Sequence, residues 1–112
     1  MLYASIALFA VSAIFGLTIL LKWVGQKSAS NAVVYSHGFF AVVALVILIL
    51  YSVQNPDSFP KTSLILFGIA ALAGLTMFFR NLGGKMGPLP LAFLHAIVAV
   101  TSFVLLLLFA FT

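Results

Sequence analysis

The chain has 112 residues, of which 65% are hydrophobic and only 5% charged. Soluble domains carry about a quarter charged residues, so a water-facing surface cannot be made from this composition, and the surrounding solvent is lipid. No cysteine is present, which excludes disulfides, thiolate metal sites, iron–sulfur clusters and cofactors attached through a thiol.

A membrane-spanning helix needs about 20 mostly apolar residues. Four runs qualify, at 2–22, 32–53, 62–79 and 90–111, each free of charge in its interior. The first lacks a positive segment ahead of it, since Lys22 and Lys27 come after it, and is expected as a retained helix rather than a cleaved signal. It ends in WVGQKSASN, where Ser30 or Asn31 can cap the second helix. The second ends in QNPDSFPK, with Asp57 or Ser58 ahead of the third helix, and the third in RNLGGKMGP, where Gly87-Pro88 opens the fourth. Short loops make successive helices antiparallel neighbours.

The net charge of +4 comes from five basic residues set against one acid, Asp57, and all lie at or between the apolar runs. That pattern fits membrane topology and gives no reason to expect nucleic acid. Lys22 and Lys27 mark the first loop, and Arg80 and Lys85 the third. The positive-inside rule then puts loops one and three in the cytoplasm and both termini outside, in a membrane such as the bacterial inner membrane. Trp23 and Tyr35 near one set of helix ends, with Tyr3 and Tyr51 near the other, fit aromatic belts.

Shifted by 58 residues, the second half of the sequence falls on the first without a gap, giving repeats 1–54 and 59–112. Gly16-Leu17-Thr18 lands on Gly74-Leu75-Thr76, Lys22 on Arg80, Gly25 on Gly83, Lys27 on Lys85 and His37 on His95. The segments HGFFAVVALVILIL and HAIVAVTSFVLLLL agree at Ala41/Ala99, Val42/Val100, Val46/Val104 and Leu50/Leu108. The coincidence of rare residues is the informative part, because apolar matches arise easily by chance. Each two-helix unit enters and leaves on one side, so the copies are parallel repeats. The expected fold is all-α, a single up-down-up-down membrane bundle with helices 1 and 3, and helices 2 and 4, on its diagonals.

His37 and His95 then share one depth, roughly 9 Å inside the bundle at 1.5 Å per residue. Gly16 and Gly74 lie at a similar depth on the other diagonal. Small residues flank all four: Ala41 and Ala44, Ala99 and Ser102, Ser12 and Ala13, Ala70 and Ala71. Ionisable residues in a membrane helix are costly and usually face a partner inside, yet no embedded acid exists to pair with either imidazole. Water, a backbone carbonyl, each other or a metal remain. Bare zinc wants four ligands where two nitrogens are offered, whereas haem iron needs only two axial ligands from the protein.

On His37, His95, Gly16 and Gly74, the four-helix plan resembles cytochrome b and related four-helix membrane cytochromes. In those proteins axial histidine pairs come from alternate helices, and glycines border the macrocycle. The resemblance implies one haem b per chain with His37 and His95 as axial ligands of its iron. It also implies electron exchange with quinone or a partner protein. The family commonly stacks two haems, while this chain has a single histidine pair, so a second haem would find no ligands. Lys22 and Arg80 either bind haem propionates or only set topology, and Thr18 and Thr76 either satisfy an imidazole N–H or bond back to their own helices. Glycines spaced as Ser12/Gly16 and Ala70/Gly74 also promote close packing without any cofactor.

Two other classes compete with the cytochrome. One is a cofactor-free structural or assembly subunit of a homo-oligomer or larger membrane complex, with the histidines bonded between helices. The other is a small transporter: small multidrug transporters have this size but depend on an embedded glutamate, which is lacking, and small fluoride channels insert as inverted pairs. No paired carboxylates or nucleophile–base arrangement supports a catalytic residue.

Overall fold

The computed structural model describes residues 1–85 and 88–112. The Gly87 expected to open the last helix lies outside them. Four helices span Leu2–Val24 (α1), Asn31–Gln54 (α2), Lys61–Leu82 (α3) and Leu89–Phe111 (α4). All four are long and apolar enough to cross a membrane, and the molecule is 44 Å along its longest axis. The chain is a multi-pass membrane protein.

Helix ends follow local chemistry. Ser30 caps α2, its hydroxyl accepting from the Val33 amide at 3.3 Å. Pro60 takes the capping position of α3 with no side-chain bond, so neither Asp57 nor Ser58 serves there. Pro88 does the same for α4, whose second residue is Pro90, where a missing amide hydrogen costs nothing. α1 and α3 end alike. Gly25 and Gly83 share φ −80° and ψ 8°, and the Lys27 and Lys85 amides donate back to the Lys22 and Arg80 carbonyls at 2.8 and 3.1 Å. This closure needs a left-handed residue between glycine and lysine. Gly84 supplies it at φ +82°; its repeat mate Gln26 is held there at φ +58°.

The helices pack as two hairpins, α1 with α2 and α3 with α4. The hairpins meet along an α1–α4 seam and a slighter α2–α3 seam. Among the described residues no Cα of α1 comes within 8 Å of α3, nor of α2 within 8 Å of α4, so those pairs are the diagonals. The outer surface is apolar where that of a soluble bundle is polar, and the core admits small polar residues. Ser5, Ser12, Ser52, Ser63 and Ser102 are buried, while Ile14, Val53 and Leu72 are about two-thirds exposed. Lipid offers no penalty to apolar surface, so association rests on close packing of small residues and on bonds between helices. Ser63 donates to the Ser102 carbonyl at 2.7 Å and ties α3 to α4.

The buried face of α1 runs Ser5, Phe9, Ser12, Trp23 and that of α3 runs Ser63, Phe67, Ala70, Met77. Spacings of three and four, with seven in α3 and eleven in α1, put each set on one stripe. Phe9 and Phe67 stack face to face across the diagonal, ring centres 3.9 Å apart and planes 3° from parallel, within a cluster holding Ala44, Leu48 and Leu106. At the other end Trp23 packs with Met77 and Ala92. This corrects the aromatic-belt expectation for Trp23. It is 5% exposed because it shares the inward stripe of Gly16, seven residues earlier, whereas Tyr3 and Tyr35 are exposed.

The paired helix ends generate a prediction. A non-glycine residue in the left-handed region costs roughly 1 kcal/mol, so Gln26→Gly is expected to raise stability by up to about that amount and Gly84→Gln to lower it. Unfolding in mixed micelles measures both. Equal effects of one sign in the two variants would contradict the assigned backbone.

Candidate functional site

Both histidines lie six residues into their helices, counted from Asn31 and from Leu89, about 9 Å from the ends. Each ring turns inward and is fixed by the neighbouring helix of its own hairpin. His37 Nδ1 donates to the Ser12 carbonyl at 2.8 Å, and His95 Nδ1 donates to the Ala70 carbonyl at 2.8 Å. Position 70 is position 12 shifted by 58, so the two bonds are the same bond made twice. The Ser12 hydroxyl donates in turn to the His37 carbonyl at 3.0 Å, a second tie that Ala70 cannot make.

These bonds have a chemical consequence. A carbonyl can only accept, so Nδ1 must carry the proton. In a neutral imidazole Nε2 then holds a bare lone pair, and no hydrogen bond to either Nε2 occurs among the described residues. A backbone carbonyl on Nδ1–H is the usual way a protein orients an imidazole and raises its basicity as a metal ligand.

The two rings face each other across the α2–α4 diagonal, centres 6.1 Å apart and planes 81° to one another. Two imidazole nitrogens each about 2 Å from a shared metal, with ring centres about 1 Å behind them, give a centre-to-centre separation of about 6 Å. Among the described residues no group of three or more His, Cys, Asp or Glu side chains gathers anywhere. The two imidazoles are the donor side chains this layer offers.

Gly16 and Gly74 border the layer from the other diagonal. A Cβ on Gly16 would lie 2.8 Å from His37 Cε1 and 3.1 Å from its Nδ1; one on Gly74 would lie 3.1 Å from His95 Cε1. What each glycine makes room for is an imidazole edge, pressed against the backbone of the helix whose carbonyl it binds. Thr18 and Thr76 take the second of their two readings, donating to the carbonyls of Ile14 and Leu72 four residues back at 3.0 and 3.1 Å. The carbonyls of Ser12 and Ala70 hold the imidazole N–H groups instead. Lys22 and Arg80 are exposed in the last turns of α1 and α3.

Along the bundle axis the layer is bounded by the Phe9–Phe67 stack on one side and by Trp23 with Met77 on the other. Fourteen residues separate Phe9 from Trp23, about 21 Å along α1. Small residues surround the imidazoles on every helix, Ser12 and Gly16, Ala41 and Ala44, Ala70 and Gly74, Ala99 and Ser102, while Val34 is buried three residues before His37 and Ile19 and Leu20 pack partly buried against the Trp23 cluster. Ala13 is the exception among the small residues anticipated for the interior, because it is exposed.

Sequence reading found the imidazoles and glycines but missed Ser12 as the anchor of His37. A serine on the stripe of Gly16 was visible; its carbonyl's role was not, since every residue has one. Comparison of the chain with protein-family models, with curated proteins and with solved structures finds no match.

The glycine geometry can be tested directly. Gly16→Ala is expected to cost about 1–3 kcal/mol by displacing His37, and Gly74→Ala less. Gly38→Ala, where an added Cβ meets nothing within 4 Å, should be neutral or stabilising by up to about 1 kcal/mol. Unfolding in mixed micelles ranks the three, and imidazole nitrogen NMR reports whether the ring moved. The same cost at Gly38 as at Gly16 would refute the assignment.

Proposed function

We propose that the chain is a membrane-embedded b-type cytochrome, with one haem b held between Nε2 of His37 and Nε2 of His95. The single observation that carries this reading is the pair of imidazoles on opposite helices, 6.1 Å apart, each with Nδ1–H committed to a backbone carbonyl. The haem would supply a one-electron ferric–ferrous couple. His37 and His95 would hold the iron from both sides, and the small side chains on all four helices would leave the plane between them free for a macrocycle. The exchange partner is quinone in the bilayer or a redox protein at its surface. Lys22 and Arg80 stand at the end of the bundle nearest the histidines, where their charge favours the carboxylates of a bound haem and a cytoplasmic position for loops one and three. Both termini then lie outside, in a bacterial inner membrane.

A second reading is supported by the same hydrogen bonds. They tie α1 to α2 and α3 to α4, which is what a cofactor-free subunit of a larger membrane assembly would need from two buried histidines.

The visible spectrum separates the two. Protein purified in detergent after expression with ample haem should show a Soret band that shifts, and sharp alpha and beta bands that appear, on adding dithionite. His37→Ala and His95→Ala should each lose the bound haem or retain less than about a tenth of it, as loss of an axial ligand removes half of the protein's hold on the iron. A colourless wild type, or mutant spectra identical to it, would leave the structural subunit as the surviving account.

A further inference from the structure

Trp23 is the only tryptophan in the chain. It is 5% exposed, and its Nε1 is buried with no hydrogen-bond partner among the described residues. An indole N–H can only donate, and buried donors left without an acceptor are rare enough to need an explanation. The ring packs against Met77 and Ala92. Met77 is three residues beyond Gly74 and Ala92 three residues before His95, so the indole rests on the turns of α3 and α4 that adjoin the imidazole layer. On its own helix it lies seven residues past Gly16, two turns on and roughly 10 Å away.

The surroundings are rich in donors and lack an anion. The repeat mate of Trp23 is Asn81, half-buried on the opposite diagonal helix, whose amide both donates and accepts but does not bond the indole. Lys22 and Arg80 precede the two in sequence and are exposed. The chain's one carboxylate, Asp57, is in the α2–α3 loop at the far end of the bundle. No acceptor reaches the indole among the described residues, and a carboxylate from outside the chain, about 10 Å along the axis from the histidine layer, would both satisfy it and offset the charge of Lys22 and Arg80. The carboxylate arms of a haem meet these conditions.

We infer that Trp23 Nε1–H donates to a propionate carboxylate of the haem held by His37 and His95, making Trp23 a binding and orienting residue for the cofactor. This inference rests on the cytochrome reading. It fixes which edge of the macrocycle faces loops one and three, and it explains why an indole sits inside the bundle rather than at the lipid interface.

The test is a titration of haem-free protein in detergent, followed at the Soret band, with two iron porphyrins. One is protohaem; the other is iron octaethylporphyrin, which has no carboxylate. Wild type should bind both with a bis-imidazole spectrum. Trp23→Phe should weaken protohaem by about tenfold, the usual worth of one hydrogen bond to a charged acceptor, and leave the octaethyl compound within about twofold. Equal weakening of both porphyrins would assign Trp23 to packing alone, and no weakening of either would remove it from the site; both results overturn the inference and leave the histidine ligation standing. Failure of wild type to bind either porphyrin would overturn the ligation and this inference together. Should the variant not fold, the wild type carries the test through its single indole N–H resonance. In the dithionite-reduced, low-spin complex that resonance should lie further downfield with protohaem than with the octaethyl compound, and coincident positions would overturn the inference.

Discussion

The structure depends on one hydrogen bond made twice, from an imidazole Nδ1–H to a carbonyl on the neighbouring helix of the same hairpin. In lipid, hydrophobic burial contributes little to helix association, so directional bonds and close approach must decide which faces meet. The bonds from His37 to Ser12 and from His95 to Ala70 do both jobs. They need the backbones to approach until an imidazole edge touches a glycine, and they set the rotation of α2 and α4 about their axes. A Cβ at position 16 would displace the His37 ring from its carbonyl, and one at position 74 would crowd the His95 ring by less. Without the bonds, two polar rings would lie in a low-dielectric interior with nothing to offset their lost hydration.

Around that layer the interior divides by size. Toward the α2–α3 loop it is closed by the stacked phenylalanines and by Leu48 and Leu106, both fully buried. Around the imidazoles it is built mainly from glycine, alanine and serine, with Val34. The serines there add little polarity, since Ser12 donates to the His37 carbonyl and Ser102 to the Val98 carbonyl four residues back in its own helix. A segment of small side chains between two bulky plugs is a specific arrangement. Packing alone would favour filling it with the leucines and isoleucines that this chain instead directs at the lipid.

Much of this was legible before any coordinates. The four spans follow from uninterrupted apolar length, and each observed helix extends the expected run by at most three residues at either end. The diagonal of histidines follows from the repeat and from short loops. Trp23 was misplaced because tryptophan near a helix end ordinarily sits at the interface, and only its register with Gly16 marks it as inward. The anchors of the imidazoles were invisible because backbone carbonyls leave no trace in sequence, and the threonines of the repeated Gly-Leu-Thr motif were a more conspicuous choice. Ser5/Ser63, Phe9/Phe67 and Leu48/Leu106 also coincide at the offset of 58. They form much of the core, yet in apolar sequence such matches carry little weight until they are seen to touch.

The loop of residues 55–60 joins the two hairpins at the end away from the histidines, along the slighter of the two seams. Each hairpin holds its own imidazole, latch carbonyl and notch, but only one face of whatever lies between the rings. The centre thus belongs to neither hairpin and is created by their encounter. Six residues of tether are what turn a meeting of two separate chains into a property of one, replacing a concentration-dependent association in the bilayer with permanent adjacency.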